Sequence, residues 1–277
     1  MGDITQEQKG GKESTNVQIA QVTCGLSYAD VKEICLDLFR SNFLEMKDEA
    51  LNKVEERLEH FTDKYIERLE QRRITKIDEL KNPDMQYILF KGQKSYARYG
   101  DEELLNGLLE LLLERVQTTE KNMIQLNLNE AICTLPKLTK AHINLITLAY
   151  LIRYTINNNL KNKNDFIEHI SRFIVPFIPK EAIKQSDFQY LTYVGCGNVL
   201  VGDNLEEHLN KVYSHIFSDT NNIKGQLIES ISEINELFEV WDTTWLHCLE
   251  LTSVGITIAW SNIINKLGVK LDLNVWI

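Results

Sequence analysis

The sequence predicts a mainly α-helical protein: a tail with a short strand over residues 1–26, a multi-helix body over 27–180, and a winged-helix-like part over 181–277 carrying a small β-sheet. Three observations predict it. Apolar residues recur at three- and four-residue spacing through most of the chain. Capping residues stand in front of those runs. The last third reads as helix, strand, helix, helix, strand, helix, strand, which is the order of a winged helix with additions.

Residues 1–15, "MGDITQEQKGGKEST", have little to bury and are expected to be mobile. Asn16, Val17, Gln18, Ile19, Ala20, Gln21, Val22 and Thr23 then alternate as a strand does. Such a strand needs a partner edge, either in a small sheet elsewhere in the chain or in a second copy of it. Ser27 is a candidate N-cap with Asp30 at the capping-box position, and Val31, Ile34, Cys35, Leu38 and Phe39 form one helical stripe. From about Asp48 a long amphipathic helix follows, with Leu51, Val54, Leu58, Phe61 and Tyr65 on its seam and a solvated charged face.

Asn82 and Pro83 suit the start of the next helix, and Gly100 its end. Asp101 caps a leucine-rich helix, "DEELLNGLLELLLERV", that leaves little polar face and is expected to be central. One helix over about 121–133 and another, capped by Thr139 and ending near Asn157, complete the body. A soft boundary falls after Pro176 and Pro179. Beyond it come "SDFQYLTYV" as a helix, a strand within "GCGNVLVGD", a helix started by Asn204 and Glu207, and a helix from Gly225 to Val240. A strand at "WLHCLEL", a helix to about Lys266 and an alternating strand "VKLDLNVWI" close the order.

The composition, 43% hydrophobic and 25% charged, is that of a globular protein. Apolar runs such as "INLITLAYLI" fall short of the roughly 20 residues that cross a bilayer. No basic then apolar leader opens the chain, so the expectation is a cytoplasmic protein with no membrane contact. Five scattered cysteines without a C-x-x-C pair read as reduced packing residues.

Charge decides against the obvious use of a winged helix. Residues 181–277 hold 5 Lys/Arg against 13 Asp/Glu. The would-be recognition helix, "GQLIESISEINELFEV", turns Glu229, Glu233, Glu236 and Glu239 outward, where a phosphate-lined groove would repel them. DNA binding through this part is therefore disfavoured, and those glutamates are read as an acidic interaction face. Basic residues concentrate instead between 68 and 98: Arg68, Arg72, Arg73, Lys76, Lys91, Lys94 and Arg98, with Tyr87, Phe90, Tyr96 and Tyr99 among them. Bases beside aromatics can hold single-stranded nucleic acid or a nucleotide. The simpler reading has the aromatics in the core and the bases solvated or paired with the acidic C-terminal third.

Chemistry-bearing motifs are weak. "GCGNVLVGD" lacks the Gly-Lys-Ser/Thr ending of a phosphate loop and is explained by turns. Cys196, His208, His215, His247 and Cys248 share one third of the chain without metal-ligand spacing. No G-x-S-x-G marks a nucleophile. No catalytic residue, metal ligand or cofactor is assigned.

The segments "GLSYADVKEICLDLFRSNF", "NPDMQYILFKGQKSYARYGDEELLNGLLELLLER", "LNEAICTLPKLTKAHINLITLAYLIRYT", "LTSVGITIAWSN" and "LDLNVWI" resemble an uncharacterised family of bacterial cytoplasmic proteins over nearly the whole chain. More distantly, a helical body closed by "LT-x-x-G" is similar to abortive-infection alpha proteins. The resemblance implies a place in phage defence, by fold-level analogy. The expectation that results is a non-enzymatic protein-interaction or self-assembling protein whose partner is another protein or a second copy. The alternatives are a nucleic-acid binder using the basic stretch and an effector enzyme whose site assembles only in space.

Overall fold

A computed structural model describes residues 26–40, 48–217, 219, 222–269, 271–275 and 277. The expected strand at 16–23 lies outside them, as does Cys24. Among the described residues the chain forms twelve α-helices and one two-stranded antiparallel sheet.

Helix α1 (Tyr28–Arg40) opens with the capping box read from sequence: the Ser27 N–H donates to Asp30 at 2.7 Å and the Asp30 N–H donates to Ser27 Oγ at 3.2 Å. Helix α2 (Asp48–Gln71) buries Val54, Leu58, Phe61, Tyr65 and Leu69 along its seam. Helix α3 (Pro83–Tyr99) starts at Asn82, whose side chain accepts from the Asp84 N–H, and stops at Gly100, whose φ of 65° suits glycine. Asp101 caps α4 (Glu102–Gln117), which is buried along most of its length. Asn122 caps α5 (Met123–Thr134), and Thr139 with His142 forms a capping box on α6 (Lys140–Arg153).

A short helix α7 (Lys163–His169) runs into a π-turn at Ile170–Ile174. Asn162 caps it, and Phe166 and Ile170 face the core. Helix α8 (Gln185–Tyr193) leads to β1 (Gly197–Val199), and α9 (Leu205–Tyr213) begins at its cap Asn204. The expected single helix over 225–240 is broken into α10 (Ile223–Ile228) and α11 (Ile234–Thr243). The buried positions Leu227, Ile231, Ile234, Phe238 and Trp241 keep helical spacing through the break. What interrupts them is "ESISE": Glu229 and Glu233 repel four residues apart, and Ser230 and Ser232 hydrogen-bond locally.

The expected strand at 245–251 is half right. Trp245–Cys248 is a 3₁₀ turn, and only Leu249–Leu251 forms β2, paired with β1 in the register Gly197 to Leu251 and Val199 to Leu249. The expected C-terminal strand does not form among the described residues, where Leu273–Val275 is a 3₁₀ turn. Alternation alone did not suffice, because the tail's backbone is engaged otherwise. The Trp260 indole donates to the Leu271 carbonyl at 2.9 Å, and Asp272 Oδ1 accepts from the Asn274 N–H in an Asx turn. The outer edge of β2 is also occupied, since the Leu251 N–H donates to the Tyr154 hydroxyl at 2.9 Å.

Helix α12 (Ser253–Leu267) packs against α4, α5 and α6 and buries Ile256, Ile258, Ala259, Trp260 and Ile263. This placement explains "LT-x-x-G". Thr252 caps α12 by accepting from the Gly255 N–H, donates its hydroxyl to the Gly195 carbonyl at 2.6 Å, and donates its N–H to the Cys196 carbonyl at 3.1 Å. Gly255 then lies so close to the Cys196 carbonyl oxygen that a Cβ would overlap it. Gly255→Ala is expected to cost about 1–3 kcal/mol by forcing these backbones apart. A urea titration with an unchanged midpoint would refute that.

Candidate functional site

The basic stretch is divided between the interior and two surfaces. Glu110 of α4 is 3% exposed, and Arg68 of α2 and Arg72, just past its end, close on it. Arg68 donates to Oε1 at 2.9 Å and Arg72 to Oε2 at 2.5 Å, while Arg68 also donates to the Asn106 side chain. Two buried-side hydrogen bonds to a carboxylate compensate its desolvation, which an unpaired Glu110 could not survive. Lys76 donates to the Gln117 carbonyl at the end of α4. Arg73, at φ 53°, turns the chain out of α2.

On α3, Lys91 lies 5.0 Å over the ring of Tyr87 and Arg98 lies 4.9 Å over that of Tyr99, with Lys94 exposed between them. Tyr96 is buried, but Tyr87 and Tyr99 are exposed, so the interleaved aromatics are not all core. The arginines pair with Glu110 in the helical body rather than with the acidic C-terminal third. Neither point is legible from composition, because it depends on how α2 crosses α4.

The acidic residues are placed otherwise. Glu229, Glu233, Glu236 and Glu239 are all exposed, across the break between α10 and α11. Glu233 accepts from the Ser232 hydroxyl at 2.6 Å, which holds its carboxyl below the usual carboxylate range. None of the four makes an ion pair among the described residues. Beside Glu236 and Glu239 runs an open trough of about 640 Å³, with Val240 and Thr243 on the same wall and Pro179, Lys180, Glu181, Ala182 and Ile183 on the other. The trough has an acidic rim and a partly apolar lining.

His208, His247 and Cys196 of the last third serve the scaffold. His208 Nε2 donates to the Ile152 carbonyl at 2.8 Å, and burial holds its imidazole below its usual value. His247 Nδ1 donates to the Trp241 carbonyl at 3.1 Å. Burial pushes the thiols of Cys35 and Cys196 up to about 12, so neither is a ready nucleophile. Within "GCGNVLVGD", Gly195 takes φ 78° in the turn before β1.

Fold and surface together define a mainly helical protein with a small two-stranded antiparallel sheet and an exposed acidic C-terminal face. No helix among the described residues is long and apolar enough to cross a membrane. The model of an uncharacterised protein family matches residues 25–223 and 218–277, and the chain belongs to that family. No curated protein and no solved structure matches it.

Proposed function

We propose that the protein is a non-enzymatic interaction module of the bacterial cytoplasm that docks a basic, amphipathic segment of a partner protein along the trough beside α11. The observation that carries this reading is the pairing of an acidic rim, Glu236 and Glu239, with a facing wall in which Pro179, Ala182 and Ile183 are apolar and Lys180 and Glu181 carry opposite charges. Carboxylates without ion pairs attract a cationic segment and set its orientation, and the apolar residues of that wall supply the area that retains it. In this reading residues 181–277 serve protein contact rather than duplex binding. Self-association through Asn16–Thr23 and a place in phage defence belong to the same proposal, the latter by the likeness of "LT-x-x-G" to abortive-infection alpha proteins.

The test is a pull-down of tagged protein from nuclease-treated host lysate, comparing wild type with a variant carrying Glu229→Lys, Glu233→Lys, Glu236→Lys and Glu239→Lys. A protein partner is expected that the variant retains at least tenfold less, and whose binding weakens with salt as exposed charges are screened over about 8 Å at physiological ionic strength. Identical partners for both proteins would sink the reading. Light scattering before and after deletion of residues 1–26 tests the self-association.

A second reading is favoured by the stripe of Tyr87, Lys91, Lys94 and Arg98 on α3, where cations lie over exposed rings as they do in single-strand binders. It predicts salt-sensitive heparin retention that Lys91→Glu with Lys94→Glu abolishes.

A further inference from the structure

A second concave site lies on the helical body, away from the acidic trough. Its walls are α4, α6 and α12, and its volume is about 200 Å³. Leu135 and Ile143 give it an apolar floor. Lys140, on the first turn of α6, forms a 2.5 Å ion pair with Glu103 at one rim. Lys266, near the C-terminal end of α12, also lines it. A wider open cleft of about 550 Å³ adjoins it and shares Glu103, Leu135, Lys140 and Ile143.

Two polar groups line this cleft beside the Lys140–Glu103 pair. Asn144, on the second turn of α6, lies in its wall and is 7% exposed. Lys266 makes no ion pair among the described residues. Its ammonium donates to the Pro176 carbonyl and lies 4.8 Å from the centroid of the Phe177 ring. Those contacts orient the ammonium without neutralising it. Burial, and then repulsion from Lys140, lowers the Lys266 pKa, with Lys180 adding to the repulsion and Glu103 opposing it.

The charges around the cleft are therefore unbalanced. Lys140 is satisfied by Glu103, and Lys266 is left over. An anion placed between them would meet two ammonium groups and the Asn144 amide, while Glu103 would hold it away from the outer rim. The small volume and the apolar floor limit the occupant to a compact molecule with a few carbons beside its charged group.

We propose that the cleft formed by Lys140, Asn144 and Lys266 over Leu135 and Ile143 is a binding site for a small organic acid, a molecule bearing one carboxylate or phosphate group. The charged end sits between the two lysines and accepts from the Asn144 amide. The carbon portion lies on Leu135 and Ile143. This site is independent of the trough beside α11, so occupancy of one is testable without the other.

Isothermal titration of the full chain at low ionic strength, with sodium phosphate in one arm and sodium butyrate in the other, measures it directly. Saturable binding of at least one anion is expected, with sodium chloride at matched ionic strength giving none. Lys266→Gln and Asn144→Leu are each expected to weaken it at least tenfold, with the far-ultraviolet circular dichroism unchanged. Glu103→Gln, which removes the competing carboxylate, is expected to tighten it. Lys64→Gln on α2, which lines neither cleft nor trough, is the control that leaves it unaltered. Absence of saturable binding for both anions overturns the proposal, as does equal affinity in wild type and Lys266→Gln. Lys266→Gln decides the matter alone if Asn144→Leu does not fold, because the lysine is at the surface.

Discussion

Arg115→Met lowers the unfolding free energy by about 3–5 kcal/mol, the cost of breaking a buried ion pair by removing one partner. Arg115 is 0% exposed. Its guanidinium donates to Asp84 at 2.7 Å, to the Asn129 side chain at 2.9 Å and to the Thr118 carbonyl at 2.9 Å, and it lies 3.5 Å from Glu79. One side chain thus ties α4 to the start of α3, to the 3₁₀ turn of Ile77–Lys81, and to α5. Methionine replaces the stem and none of the donors. Glu79, a tenth exposed, is then left without its cation, and the Thr118 carbonyl with only the Gln125 amide at 3.5 Å. A urea titration measures the loss, and a value under about 1 kcal/mol would mean that the network is incidental.

The same substitution changes the acid limb of stability. Burial raises the Asp84 pKa, but hydrogen bonds from Arg115 and Asn129 and the Arg115 charge outweigh it, so the carboxyl titrates below its ordinary value of 3.8. A depressed folded-state pKa contributes stability that is present above 3.8 and lost as pH falls through the lower, folded value. Arg115→Met removes the depression. The wild type should therefore lose stability more steeply than the variant below about pH 4, and parallel acid limbs would contradict the assignment.

Capping explains why so much of the body was legible. Ser27, Asn82, Asp101, Thr139, Asn204 and Thr252 each satisfy backbone donors at the positions where the sequence placed a helix start. A cap is a local bargain between a side chain and the three residues after it, so it survives without knowledge of the fold. The errors came where the decision was tertiary. "VKLDLNVWI" alternates like a strand, yet Trp260 takes the Leu271 carbonyl and Tyr154 occupies the edge of β2. The Glu110 cluster was illegible for the same reason: in sequence, Arg68 and Arg72 are two more charges on an amphipathic helix, and only the crossing of α2 over α4 gives them a buried carboxylate. The Lys266 cleft shows the limit most plainly. Lys140, Asn144 and Lys266 have no motif spacing, and α12 brings them together by packing beside α6.

Trp241→Ala costs about 3–5 kcal/mol, as expected for removing a buried aromatic. Trp241 is 0% exposed and is among the largest wholly buried side chains. Its indole N–H donates to the Asp203 carbonyl at 3.1 Å, the Arg153 guanidinium lies 5.6 Å from its ring, and its own carbonyl accepts from His247. Next to it, Asp242 accepts from the Leu205 N–H at 2.9 Å and fixes the start of α9. Alanine opens a cavity and also leaves the Asp203 carbonyl without its donor. Because Trp241 lies on the inner face of α11 and Glu236 and Glu239 on the outer, the two kinds of substitution separate stability from recognition. Trp241→Ala should lower the urea midpoint and, through a loosened α11, weaken partner capture. The four-lysine variant should abolish capture while moving stability by no more than about 0.5 kcal/mol, as exposed substitutions do. If the lysine variant unfolds as readily as Trp241→Ala, the glutamates are structural and the trough is not a docking surface.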